Sequence, residues 1–306
     1  MLGSDQNPRH FFIVGSPRSG TTLLQAMLLR TPGLHIPPET HFMGVYWARR
    51  SHWGDLADDE NRARLCRSVL DRSRREGIDL DHELFRRRLD EARSYAGAFR
   101  AWLDATAAAR GASIVGEKSP PHTEFTTELL AMFPDARVLH IVRDPRDVAV
   151  SQRDAWGRTP LQAALRWRLD AKAQRRAERL TAGERHLTVR YRDLVTDPEG
   201  SLRRFASFLE ITFRQEMLHP EHRRERGFHT REAHKAGTLQ PVTRSRIGRY
   251  RDRLSRSSVA LVEHVAGREM RRLGFDRSTG PLDAPLAVAA ATVQTPRILA
   301  AHLFRR

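Results

Sequence analysis

Residues 11 to 22 constrain the fold more than any other stretch of the chain. Phe11-Phe12-Ile13-Val14 is a continuous apolar run that ends at a glycine, the pattern of a short strand buried on both faces. Gly15-Ser16-Pro17-Arg18-Ser19-Gly20-Thr21-Thr22 follows at once. From Ser19 to Arg30, Leu23, Leu24, Met27 and Leu28 then fall on one helical face, and Pro32-Gly33 ends the pattern. A strand, a glycine-bounded turn and a helix in this order gather backbone N–H groups and the positive end of a helix dipole around one anion. Gly15 and Gly20 have the spacing of a Walker A loop, yet Thr21 stands where that motif requires lysine. A standard nucleotide triphosphatase would lose its β/γ-phosphate partner there. Arg18, inside the loop, offers the cation instead, and the Thr21 and Thr22 hydroxyls can donate to the same phosphate.

Further apolar runs at Ser113-Ile114-Val115, Arg137 to Val142 and His186 to Tyr191 read as strands, with helical patterns between and after them. Thr159-Pro160 opens one helix that carries Leu161, Leu165 and Leu169 at four-residue spacing. Asp197-Pro198 opens another with Leu202, Phe205 and Leu209. Strands alternating with helices predict an α/β fold, a parallel β-sheet with helices on both faces; behind a loop of Walker A spacing, that sheet is expected to be P-loop NTPase-like. Residues from about 46 to 110 show no convincing strand and read as a helical insertion after a second strand region. The expectation is one domain over residues 1–279, with residues 280–306 as a C-terminal tail or docking helix. The charged stretch Glu221 to Arg231 reads as a mobile loop.

Three later blocks carry polar residues at strand ends, where open α/β sheets bind ligands. Arg143-Asp144-Pro145-Arg146-Asp147-Val148-Ala149-Val150-Ser151 follows a strand, so Arg143 and Ser151, two turns along the next helix, can converge on one phosphate. Gly116-Glu117-Lys118-Ser119-Pro120-Pro121-His122 follows the strand at Ile114. Tyr191-Arg192-Asp193-Leu194 closes the last strand.

Together these blocks resemble PAPS-dependent sulfotransferases, particularly the bacterial and tyrosylprotein-type branch. Gly15 to Thr22 is similar to that family's 5'-phosphosulfate loop, and Arg143 to Ser151 to its 3'-phosphate motif. The resemblance implies 3'-phosphoadenosine 5'-phosphosulfate (PAPS) as co-substrate, 3',5'-ADP as product, and no metal requirement. It implies that Ser16, Pro17, Arg18, Ser19, Gly20, Thr21 and Thr22 hold the 5' end, that Arg143 and Ser151 hold the 3'-phosphate with Arg146 as a helper, and that Tyr191 lies near the adenine. Lys118 would contact the sulfuryl and bridging oxygen. Pro241 to Arg251 resembles a late block that closes over the nucleotide, Ser245 and Arg251 matching its polar positions while Arg244 and Arg246 depart from it.

In-line transfer to a hydroxyl or amine needs a base as well as the neutralising cations Arg18 and Lys118. Glu39 in Ile36-Pro37-Pro38-Glu39-Thr40-His41 matches the glutamate that some relatives place beside the acceptor, with His41 and His122 as competitors. Lys and Arg total 53 against 37 Asp and Glu, a net charge of +16 that favours anionic partners. No nucleic-acid-binding pattern accompanies that charge, so nucleic acid is not an expected partner. A small-molecule, carbohydrate or lipid-linked acceptor is expected ahead of protein tyrosine. A kinase of the same fold and a non-catalytic anion or nucleic-acid binder are the rival readings. A single cysteine, Cys66, excludes an intrachain disulfide framework, and with no leader or membrane span visible a cytoplasmic location is expected.

Overall fold

The computed structural model describes residues 8–222 and 240–303, with side chains described to residue 294. Five strands form one sheet: β1 (Arg9–Val14), β2 (Leu34–His35), β3 (Ile114–Glu117), β4 (Arg137–Val142) and β5 (His186–Arg190). All pairings are parallel, in the order β2-β3-β1-β4-β5. The phosphate-loop strand β1 is therefore central, and Phe11 to Val14 are buried on both sides as their unbroken apolar run requires.

The helices, in chain order, are α1 (Thr21–Leu28), α2 (Arg50–Trp53), α3 (Asp59–Glu76), α4 (His82–Ala92), α5 (Tyr95–Ala108), α6 (Thr126–Met132), α7 (Pro145–Trp156), α8 (Pro160–Leu180), α9 (Tyr191–Thr196), α10 (Pro198–Leu209), α11 (Tyr250–Arg253), α12 (Arg256–Arg272) and α13 (Ala284–Leu303). Residues alternate across β1: Phe12 and Val14 pack with Phe42, Phe99, Trp102 and Phe133 on one face. Phe11 and Ile13 pack with Leu24, Met27, Leu202 and Phe205 on the other. The segment between β2 and β3, which holds a short π-helical turn at Met43–Trp47 and the helices α2 to α5, supplies much of the aromatic part of that core, including the parallel stack of Phe42 on Phe99 at 4.2 Å.

The four-residue leucine spacing in α8 does not mark its buried face. Leu165 and Leu169 are 44% and 54% exposed, whereas Ala163, Ala164, Trp167, Ala171 and Ala177 are buried. Small side chains let α8 approach its neighbours closely, and the wider leucines are left outside that seam. The C-terminal helix α13 packs through Ala287, Ala290 and Ala291 on Ala260 and Leu261 of α12, and Gln294 Oε1 accepts from Leu161 N at 3.0 Å. Among the described residues no helix is long and apolar enough to cross a membrane. Of the stretch read as a loop, Pro220–His222 is a short 3-10 turn and residues 223–231 lie outside the described residues.

Arg146 is anchored in the fold. Its guanidinium donates to Asp144 at 2.6 Å and to Glu263 Oε1 at 2.6 Å, and it stacks 4.2 Å over the Tyr250 ring. Glu263, buried in α12, also accepts from Ser278 N and Thr279 N at 2.8 and 2.9 Å. Removing this buried carboxylate leaves Asp144 as the carboxylate partner of Arg146 and the Ser278 and Thr279 N–H groups without their acceptor. Glu263→Ala should therefore lower unfolding stability by about 3–5 kcal/mol in a denaturant titration; a loss under about 1 kcal/mol would show that water replaces the pair.

Candidate active site

The loop after β1 is shaped by close backbone approach. A Cβ on Gly15 would lie 2.3 Å from Ile141 O, and one on Gly20 would lie 2.5 Å from Tyr191 Cδ2; Gly20 also has φ +107°. Both positions therefore require glycine on packing grounds. Gly15 N donates to Thr123 Oγ1 at 2.8 Å and Pro17 O accepts from Gln152 Nε2 at 3.0 Å, so the loop is tied to two neighbouring segments. Arg18 takes the left-handed φ of +76°. No side chain caps α1 and its first turn holds no acidic residue, which leaves the helix dipole open to an external anion.

A cavity of about 380 Å³ opens over this loop at the C-terminal ends of the strands, within the roughly 300–1,000 Å³ of small-molecule clefts. Pro17, Arg18, Gly20, Thr21 and Thr22 line one side, Arg143, Ser151 and Tyr191 another, and Glu39 and His41 a third. Arg18 Nε donates to Ser151 Oγ at 3.2 Å, so the loop cation and the helix α7 serine meet. Arg143, at the end of β4, is only 5% exposed. Its carbonyl accepts from Trp167 Nε1 at 2.9 Å, and its guanidinium donates to Arg18 O at 3.1 Å and Arg246 O at 2.6 Å and lies 4.6 Å over the Tyr191 ring. Burial pulls the Arg143 pKa below its ordinary value, opposed by Tyr191 and Asp147 and reinforced by Arg246 and Arg249. Arg143 Nε has no hydrogen-bond partner. A buried cation with an unmet donor, facing the cavity beside an uncapped helix, fits a polyanionic ligand such as a phosphorylated nucleotide.

Ser16 and Ser19 are placed differently. They are buried behind the loop, against His140, Trp167 and Asp170, outside the cavity wall. Ser245 lines a smaller adjoining cavity with Arg18, Ser151, Arg246 and Arg249. Arg251 lies in α11, 5.1 Å over the Tyr250 ring, and lines neither cavity. Arg246, which the motif comparison sets aside, lines both. The late block is held by Asp147, which accepts from Gly248 N at 2.8 Å and Tyr250 N at 3.1 Å. Sequence reasoning missed Trp156, on whose ring Arg18 and Arg158 stack at 5.8 and 5.1 Å, and the wall residue Gln240, while Pro241, Val242 and Thr243 of the late block line the cavity.

Lys118 is fully buried, and its Nζ donates to Glu39 Oε1 at 2.5 Å. His41 Nε2 is 3.5 Å from Glu39 Oε2. Burial holds the His41 pKa below its ordinary value although Glu39 pulls it upward, so the ring is neutral at pH 7. His122 is fully buried with both nitrogens engaged: Nε2 accepts from Met43 N at 3.2 Å, which puts the proton on Nδ1, and Nδ1 donates to Glu117 Oε2 at 2.8 Å.

Glu117 is the residue of the Gly116 to His122 block that sequence reasoning left without a part. Its carboxylate, 1% exposed, accepts from Thr40 Oγ1 at 2.9 Å, from Ser119 Oγ and from His122 Nδ1. Ser119 Oγ in turn accepts from His41 N at 3.2 Å, and Arg72 Nε donates to Thr40 O at 2.8 Å. Glu39 to His41 is thus stapled to the lysine segment from both sides. Burial would raise the Glu117 pKa, but His122, Ser119 and Thr40 hold the carboxyl below its ordinary 4.5. A folded-state pKa below the unfolded one stabilises fully above the unfolded value and loses that contribution as pH falls through the folded one. Glu117→Gln should lower the Tm at pH 7, with a cost of about 1–3 kcal/mol. The gap between variant and wild type should narrow below pH 4.5; a pH-independent gap in thermal melts would refute the charged role.

Comparison with known proteins agrees with this geometry. The sulfotransferase domain of the Synechococcus PCC 7002 olefin synthase superposes with a TM-score of 0.63 at 24% identity, covering 90% of this chain and 98% of that one. The sulfotransferase domain from the curacin biosynthetic pathway gives 0.61 at 20%, covering 88% and 98%. A mouse sulfotransferase complexed with PAP gives 0.50 at 14%, covering 91% and 88%. Among curated sequences, protein-tyrosine sulfotransferase A of Caenorhabditis elegans is 25% identical over 295 residues, 91% of this chain and 70% of the relative. Those of Drosophila melanogaster and Danio rerio are 25% and 28% identical; the alignments cover 69% of this chain in each case, and 40% and 55% of the relatives' lengths. A model of the sulfotransferase family matches residues 8–215, from β1 to just beyond α10. The phosphate loop, its parallel sheet and this match make the chain a member of the sulfotransferase family, an enzyme whose chemistry is sulfuryl transfer.

Proposed function

We propose that this enzyme transfers the sulfuryl group of PAPS to a hydroxyl or amine of an acceptor by in-line displacement, with Glu39 as the base. The observation that carries the reading is the contact of Lys118, buried behind the cavity wall, with Glu39, which lines one cavity with Arg18, Arg143 and Ser151. Two cationic groups, Arg18 of the loop and buried Arg143, line one cavity and suit a ligand with more than one phosphate group. The mouse relative complexed with PAP supports the same donor.

PAPS, when bound, supplies an activated sulfuryl group on a phosphate leaving group. The residues of the chain do the rest. Arg18 and the open N-terminus of α1 neutralise the 5' end, and Arg143 with Ser151 fixes the other phosphate and so the orientation. Lys118 neutralises charge that develops on the leaving oxygen, where an anchored donor acts most strongly. In the resting arrangement Lys118 and Glu39 satisfy one another. Lys118, once drawn toward an anionic donor, leaves Glu39 free to accept the proton of the attacking hydroxyl or amine. His41, neutral and 3.5 Å away, can relay that proton outward. Leu23, Pro120, Pro121, Trp156 and Val242 give the same cavity an apolar wall on which the body of an acceptor can rest. A carbohydrate, a lipid-linked sugar, a small metabolite and a tyrosine side chain all carry a suitable nucleophile.

Incubation with labelled PAPS and fractionated acceptor extracts, reading 3',5'-ADP release together with labelled product, tests the reaction and finds the acceptor. No 3',5'-ADP with any fraction would remove PAPS as the donor. With an acceptor in hand, Glu39→Gln should lower kcat by about 10²–10⁴ while PAPS affinity stays within a few fold. Lys118→Ala should lower kcat by about 10²–10³. Full turnover in Glu39→Gln, with loss in His41→Gln, would transfer the role of base to His41.

A further inference from the structure

One convergent set of donors lies outside the sulfuryl site. After α10 the chain runs through two short 3-10 turns, Gln215–Leu218 and Pro220–His222. Their inner side is pinned. Met217 and Pro220 are buried, and Arg30, just beyond the C-terminal end of α1, donates to Glu216 O at 3.3 Å and to His222 O at 2.9 Å. His222 N donates to His219 O at 3.2 Å, and the proline between them fixes its own φ.

Three side chains of this turn converge. His219, Glu221 and His222 each offer a donor atom, and the three atoms all lie within 4.8 Å of one another. His219 Nδ1 is 3.3 Å from Glu221 Oε1, and the two imidazole rings face each other with centroids 5.6 Å apart at 17°. Glu221 Oε2 is buried and has no hydrogen-bond partner among the described residues.

Two donors bound at about 2.0–2.1 Å to one tetrahedral zinc stand roughly 3.3–3.4 Å apart. The spacing of His219 and Glu221 is already that of a ligand pair. Two imidazoles with one carboxylate suit zinc, whereas calcium and magnesium favour all-oxygen shells. The hydrogen bond alone accounts neither for the unmet Glu221 Oε2 nor for the second ring alongside; a dication among the three accounts for both. The Arg30 guanidinium beside this turn is engaged with backbone carbonyls, those of Glu216 and His222. We propose that His219, Glu221 and His222 form a surface zinc site of three protein donors, the fourth position being filled by water. It would clamp this turn at the end of α1 remote from the phosphate loop, and it takes no part in sulfuryl transfer.

The experiment uses the full chain, stripped with chelator and titrated with zinc against a chromophoric chelator. One equivalent should bind, cobalt in its place should show the visible bands of a tetrahedral nitrogen and oxygen shell, and zinc should raise the Tm. His219→Ala, His222→Ala and Glu221→Gln should each weaken binding by about tenfold or more and abolish the zinc-dependent rise in Tm. Absence of zinc binding at micromolar free metal, or equal affinity in the His219→Ala/His222→Ala double variant, would overturn the site. Where a variant fails to fold, the cobalt spectrum of the unaltered protein decides: featureless or octahedral absorption refutes the proposal.

Discussion

The buried carboxylate of Glu117 is the interaction on which the active-site side of the fold depends. It sits at the end of β3, 1% exposed, and its stability rests on the donors it collects from Thr40, Ser119 and His122. One of those donors, Thr40, stands 77 residues from Glu117 in sequence, and the other two follow Glu117 directly. Satisfying one charge therefore fixes the distance between the loop that carries Glu39 and the segment that carries Lys118. The helical region between β2 and β3 contributes through Arg72, which holds the Thr40 carbonyl, so a region without strands still helps to set the geometry of the site.

A second fixed charge organises the other wall. Asp147 gathers the backbone of Gly248 and Tyr250, Arg143 gathers the carbonyls of Arg18 and Arg246, and Tyr191 lies beneath Arg143 and against Gly20. The phosphate loop, the end of β4 and the late block are thereby locked to one another before any ligand arrives. That kind of prior alignment is what lets fixed dipoles and cations act on developing charge without reorganising.

Much of this was legible in the amino-acid sequence, for a physical reason. β1, its loop and α1 are contiguous, so their pattern, spacing and glycines report one local structure. The strand ends that carry Arg143, Lys118 and Tyr191 were readable in the same way. What was not readable depends on partners far along the chain. Arg146 reads as a ligand-binding arginine until Glu263, 117 residues later, is seen to take its guanidinium. The leucine spacing of α8 points to the wrong face because the true seam is made of alanines and Trp167. Ser16 and Ser19 sit in the loop by sequence, but the tight turn at Arg18 rotates them behind it.

The indole of Trp156 lies at the mouth of the cavity, 42% exposed, with the guanidinium groups of Arg18 and Arg158 on its ring. Arg18 is also the loop cation, so an anion that draws it inward must alter the polarity around that ring. The protein thus carries an optical reporter wired to its own donor site. Occupancy of the phosphate loop is thereby coupled to the surroundings of Trp156, one of the five tryptophans of the chain.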